Sequence, residues 1–119
     1  MNSWRNKFLL IAHRGASAYE PENTLTAFRK AIEMGADAIE FDVRFTRDGI
    51  PIIIHDEDLK RVAGVEERVC NLTLDKLKKI VIMGKEQVPT LDEVLSEFRG
   101  KITMFIEIKE LIDEKYIVK

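Results

Sequence analysis

The chain has a single cysteine, Cys70, which excludes an intrachain disulfide. It has no long apolar run near its start: Phe8 to Ala12 is cut off by His13 and Arg14, too short for a signal-peptide core or a membrane span. It has no block of like charge. Its 19 basic and 21 acidic residues leave a net charge of −2, which argues against a nucleic-acid footprint and a polybasic membrane patch. These absences lead us to expect a cytoplasmic protein with no nucleic-acid partner and no integral membrane segment. Cys70 is expected to be a small core filler, and Asn71-Leu72-Thr73 a chance match to a glycosylation pattern. Histidine is also scarce, with only His13 and His55. What is present is ordinary for a globular chain: 45% hydrophobic and 34% charged over 119 residues, enough for one domain with a core.

The most informative stretch is Ala38-Ile39-Glu40-Phe41-Asp42-Val43. Strand alternation puts Glu40 and Asp42 on one face and Ile39, Phe41 and Val43 on the other. Two adjacent carboxylates repel unless water, a proton or a cation relieves them. Upstream, Phe8 to Ala12 reads as a buried parallel strand ending in His13-Arg14-Gly15. Glu20 to Thr24 reads as a turn and helix start with Asn23 as the N-cap. Leu25, Phe28, Ala31 and Ile32 then recur at helical spacing until Gly35. The result is a strand–helix–strand unit.

Arg47-Asp48-Gly49 signals a turn before a second buried run, Pro51 to Ile54, which ends in His55-Asp56. About eight residues separate these two strands, too few for a helical crossover. An extended return to a parallel strand is expected, with an antiparallel hairpin as the alternative. Glu57 to Asn71 reads as polar and irregular, with Asp56 as a turn cap. A short helix is expected from near Thr73. Thr90-Leu91-Asp92-Glu93 fits a capping box for a helix through Phe98, stopped by Gly100. Ile102 to Lys109 reads as a further strand carrying Glu107 and Lys109, and the tail from Glu110 as a further helix or strand.

Four expected strands thus end in His13-Arg14, Glu40-x-Asp42, His55-Asp56 and Glu107-x-Lys109. In parallel α/β folds the loops converge at the C-terminal strand ends. Glu40, Asp42 and Glu107 offer oxygen ligands suited to Mg²⁺ or Ca²⁺. Arg14 and Lys109 offer positive charge to a phosphate. His13 and His55 suit a general acid/base pair. This residue set points to phosphodiester cleavage without a serine or cysteine nucleophile.

The pieces His13-Arg14-Gly15, Pro21-Glu22-Asn23-Thr24, Glu40-Phe41-Asp42-Val43, Thr46 to Pro51, His55-Asp56 and Glu107-Ile108-Lys109 resemble the glycerophosphodiester phosphodiesterase family in order and spacing. The resemblance implies a TIM-type (β/α) barrel, with metal ligands at Glu40, Asp42 and Glu107. It implies an acid/base pair at His13 and His55, and phosphate-facing Arg14 and Lys109. It also implies hydrolysis of small-molecule glycerophosphodiesters to glycerol 3-phosphate and an alcohol. Ile108 stands where the family often has Thr.

A whole barrel takes roughly 250 residues. Residues 1–119 therefore read as the N-terminal half of such a domain, with about four strands and their helices. Half a barrel leaves sheet edges and an apolar face open, so pairing with a second copy or a complementary C-terminal half is expected, with a truncated reading frame as the rival. The alternatives are a non-catalytic half-barrel that assembles or binds metal and phosphate, and a lysophospholipase D-like enzyme.

Overall fold

A computed structural model of the chain describes residues 10–109. Phe8, Leu9 and the tail from Glu110, for which strand or helix was expected, lie outside the described residues. The elements in order are β1 (Ile11–His13), α1 (Leu25–Glu33), β2 (Ala38–Phe45), β3 (Pro51–Ile53), β4 (Asp58–Leu59), α2 (Lys60–Ala63), β5 (Val65–Arg68), α3 (Leu74–Leu77), β6 (Val81–Ile82), β7 (Glu86–Gln87), α4 (Leu91–Phe98) and β8 (Thr103–Ile108). No helix among the described residues is long and apolar enough to cross a membrane.

β2 is the hub. It pairs in parallel with β1 from Ile11↔Ala38 to His13↔Glu40 and with β8 from Ala38↔Thr103 to Val43↔Ile108. Its helix-facing residues Ile39, Phe41 and Val43 pack with Phe28 and Ala31 of α1 and with Val94 and Phe98 of α4. Phe28 is the keystone, with ring centroids 5.5 Å from Phe41 and 5.9 Å from Phe98. The result is an arc of a parallel (β/α) barrel, with three parallel strands and helices on one face.

The expected parallel return between β2 and β3 is corrected. β3 runs antiparallel to β2, from Phe45↔Pro51 to Val43↔Ile53. The cause is local: Thr46 N donates to Ile50 O, Ile50 N donates back to Thr46 Oγ1, and Gly49 turns the chain at φ +79°. There are therefore three parallel strands among the described residues, not four. Because β8 occupies one edge of β2 along its length, β3 continues the edge that β1 begins.

The helix starts follow side-chain chemistry. Thr90 and Glu93 form the expected reciprocal capping box at α4, and Thr73 caps α3. At α1 the cap is Thr24, whose Oγ1 accepts from Ala27 N; Asn23 does not cap the helix. The stretch read as irregular contains the β4–β5 ladder, α2 and a 3₁₀ turn. It covers a second core of Ile52, Ile54, Leu59, Val62, Val69, Leu77, Ile82 and Val88. Cys70 is exposed rather than a core filler, since the buried position in that turn belongs to Val69. The outer edge of β8 pairs with no other strand among the described residues, and Phe105, Ile106 and Ile108 are exposed along it.

Candidate active site

The floor of the site is the face of β2 opposite the helices. Strand alternation commits Ile39, Phe41 and Val43 to the core, so Glu40 and Asp42 must face the other way. In-register pairing then sets His13 beside Glu40 and Glu107 beside Asp42. His13 Nε2 lies 2.9 Å from Glu40 Oε2. Oxygen atoms of Glu40, Asp42 and Glu107 lie within 4.8 Å of one another. Lys109 Nζ sits 3.0 Å from Glu107 Oε1 and 3.6 Å from Asp42 Oδ1.

Arg14 approaches from the β1 side. Its backbone takes the left-handed conformation at φ +59°, and its N–H donates to Glu40 O at 2.8 Å. That turn aims the guanidinium inward, with Nε 3.4 Å from Asp42 Oδ2 and a terminal nitrogen 3.3 Å from Glu22 Oε2. Gly15 follows at φ +79°, where a Cβ would sit 2.8 Å from the Ala27 backbone. The tight loop therefore depends on glycine as well as on the left-handed Arg14.

His55 arrives by the hairpin. β2 runs past the acids to Phe45 and β3 comes back, so that Ile54 N donates to Asp42 O at 3.0 Å. The next residue, His55, is thereby delivered to the level of the acids. Its Nδ1 lies 2.8 Å from Asp56 Oδ1, and its carbonyl accepts from Arg44 Nε at 2.7 Å. Lys109 holds the Glu107 carboxyl below its usual range, and both imidazoles add to that effect. All seven residues singled out in the sequence thus surround one end of the sheet.

Four further residues were not given a site role from the sequence. Asn23, buried and left-handed at φ +54°, donates from Nδ2 to Asp42 Oδ2 at 3.1 Å. Asp56 orients His55, and Glu22 receives Arg14. Arg61 grips both of those acids with hydrogen bonds of 2.8 to 3.1 Å. Glu22 and Asp56 were visible in the motifs Pro21 to Thr24 and His55-Asp56; Arg61 lay in the stretch read as irregular.

The electrostatics fit a hard cation. Burial, and then the neighbouring Asp42, push the Glu40 carboxyl up. Glu40 Oε1 and Asp42 Oδ1 are buried without a hydrogen-bond partner, as is Asn23 Oδ1. Buried carboxylate oxygens without donors are costly, and a divalent ion with oxygen ligands relieves them. The residues present therefore suit a hard divalent cation at Glu40, Asp42 and Glu107.

Comparison with known proteins agrees with this architecture. The profile of the Glycerophosphoryl diester phosphodiesterase family matches residues 13–115. A glycerophosphodiester phosphodiesterase of Caldanaerobacter subterraneus is 44% identical over 111 residues, covering 87% of this chain and 46% of the relative. The crystal structure of glycerophosphodiester phosphodiesterase from Agrobacterium tumefaciens superposes with a TM-score of 0.84 at 34% identity, covering 87% of this chain and 48% of that one. An Oleispira antarctica phosphodiesterase, solved in complex with the product sn-glycerol-3-phosphate, gives a TM-score of 0.78 at 31% identity, covering 92% and 47%. The chain spans less than half the length of each of these relatives. With the profile match running through nearly all of its residues, the chain belongs to the glycerophosphoryl diester phosphodiesterase family.

Proposed function

We propose that this chain carries the metal-binding and acid/base residues of a glycerophosphodiester-hydrolysing site. One observation carries the reading: three carboxylates, two of them with a buried oxygen that has no hydrogen-bond partner, share one end of a sheet with two histidines, Arg14 and Lys109. Glu40, Asp42 and Glu107 hold the divalent cation, Mg²⁺ or Ca²⁺. When bound, it supplies Lewis-acid polarisation of a phosphoryl oxygen. Arg14 and Lys109, beside those ligands, would offer positive charge to the phosphoryl oxygens. His13 and His55 divide the proton transfers: one removes the proton of the attacking hydroxyl, the other protonates the departing alcohol oxygen. With water as the attacking group, the phosphorus–oxygen bond to the alcohol breaks and glycerol 3-phosphate is left. The exposed Cys70 thiol fits a reducing, cytoplasmic setting.

In this reading the chain supplies the N-terminal half of a barrel. The edge of β8 that pairs with no other strand among the described residues, with Ile106 and Ile108 exposed on its helix side, supports covering by a complementary half or a second copy. Light scattering on the purified chain tests pairing with a second copy, and a compact monodisperse monomer contradicts that arm.

The functional test is release of glycerol 3-phosphate from glycerophosphocholine by the purified chain, with Mg²⁺, with Ca²⁺ and with chelator. The expected result is cation-dependent release that is lost in His13→Ala. Release in chelator, or full release by His13→Ala, overturns the mechanism. A folded, cation-binding chain without turnover favours the second reading, a half-barrel that binds metal and phosphate but needs its other half for catalysis.

A further inference from the structure

We propose that Arg61 is a positioning residue for His55, acting through the Asp56 carboxylate. The inference rests on the reading of His55 as an acid/base group. Its physical content is how one guanidinium is spent. Arg61 Nε lies 2.9 Å from Asp56 Oδ2, and a terminal nitrogen lies 3.1 Å from Asp56 Oδ1. The two terminal nitrogens also reach Glu22, at 2.8 Å to Oε1 and 2.9 Å to Oε2. One planar cation thus forks onto two carboxylates, a geometry that lysine cannot reproduce.

Both acids are largely withdrawn from water, with side chains 13% and 23% exposed for Glu22 and Asp56. This separates the arrangement from an ordinary surface ion pair, whose contribution is small. Arg61 itself stands on α2, anchored by the buried Leu59 and Val62 of the second core, while Glu22 belongs to the loop that leads into α1 in the first. The guanidinium therefore joins the two cores at the site. The connection runs onward from Glu22 to Arg14 and from Arg14 to Asp42.

The consequence falls on the imidazole. An Asp56 oxygen 2.8 Å from His55 Nδ1 requires the proton on Nδ1, which leaves Nε2 as the basic nitrogen of the neutral ring. A carboxylate free to rotate exerts no such selection. Arg61 holds both Asp56 oxygens, so the carboxylate cannot swing away from the ring. Arg14 is turned to Glu22 and Asp42 instead, and His55 shares the Asp56 carboxylate with Arg61.

Nitrogen-15 NMR of the imidazoles in the full chain, at a pH where they are neutral, tests the proposal. In the unaltered chain His55 is expected in a single tautomer with a protonated Nδ1 and a pyridine-like Nε2. Arg61→Gln is expected to move both nitrogen resonances toward a mixture of tautomers, and Asp56→Asn to do so at least as far. Arg61→Lys should recover part of the selection, and the His13 resonances should stay in place throughout. A His55 tautomer unchanged in both Arg61→Gln and Arg61→Lys overturns the proposal, whether or not Asp56→Asn moves it. The readout is a tautomer and not turnover. Full hydrolysis by His55→Ala would remove the catalytic reading of His55 and leave the positioning result to stand or fall separately.

Discussion

Asn23 and Asp42 are joined by a 3.1 Å hydrogen bond from the Asn23 amide to Asp42 Oδ2, and both residues are almost fully shielded from water. The bond explains why Asn23 accepts a left-handed backbone at φ +54° and leaves the capping of α1 to Thr24. It also leaves the other Asp42 oxygen, Oδ1, without a hydrogen-bond partner and 3.6 Å from Lys109 Nζ.

Removing that amide should cost stability. Asn23→Ala leaves a buried carboxylate oxygen short of a donor and forces alanine into a left-handed conformation. We expect a loss of about 1–3 kcal/mol from the hydrogen bond and about 1 kcal/mol more from the backbone. Asn23→Gly keeps the first loss and escapes the second. Urea unfolding of the two variants checks the difference between them.

Divalent cation should stabilise the folded chain by mass action, by about 2.7 kcal/mol at a concentration 100 times its Kd. Glu40→Gln should abolish that response. In the cation-free chain the same substitution removes a half-buried charge beside Asp42, whose repulsion and burial push the Glu40 carboxyl up. We therefore expect Glu40→Gln to be more stable than the unaltered chain at neutral pH without metal, and less stable with it. Thermal unfolding with Ca²⁺, with Mg²⁺ and with chelator reads both signs.

The grip of Arg61 should appear in the acid limb of stability. Its hydrogen bond, aided by His55, pulls the Asp56 carboxyl down to about 2, and the same guanidinium lowers Glu22. A lowered carboxyl contributes stability that is fully present above the ordinary carboxylate range. That stability is lost as pH falls through the lowered value. The Asp56 contribution is about 1–2 kcal/mol at neutral pH and disappears between about pH 4 and pH 2. Denaturant unfolding across that window should show a shallower decline for Arg61→Gln than for the unaltered chain.

Gly15 and Gly35 share a left-handed backbone but differ in surroundings. A Cβ at Gly15 would meet the Ala27 backbone at 2.8 Å, whereas one at Gly35 meets nothing within 4 Å. Gly15→Ala should therefore cost about 2–4 kcal/mol, and Gly35→Ala only the backbone part, about 1 kcal/mol. Comparing their melting temperatures checks the loop packing that aims Arg14.

The parts legible in the sequence are those set by local pattern. The alternation of Glu40 and Asp42 with Ile39, Phe41 and Val43 placed the acids on one face of β2, and the structure keeps them there. Thr90 and Glu93 announced α4 because a capping box needs only its own four residues. The misread parts depend on distant partners. Asn23 and Thr24 are both good caps by type, and only the position of Asp42 decides between them. The direction of β3 follows from the turn at Thr46 to Ile50, but its value to the site lies in β2 extending beyond the acids. That overshoot lets an antiparallel strand return His55 to their level. Arg61 sits in a helix of four residues, too short to show periodicity, and its acids come from positions 22 and 56.

In the proposed function one cation site gathers a phosphate ester to both histidines. The most direct measurement is NMR titration of sn-glycerol 3-phosphate into the purified chain, following the imidazole resonances of His13 and His55, with Ca²⁺ or Mg²⁺ and then with chelator. Both sets of resonances should shift together, only with cation present, and Asp42→Asn should abolish the response. Equal shifts in chelator, or a response confined to one histidine, would contradict the proposed function.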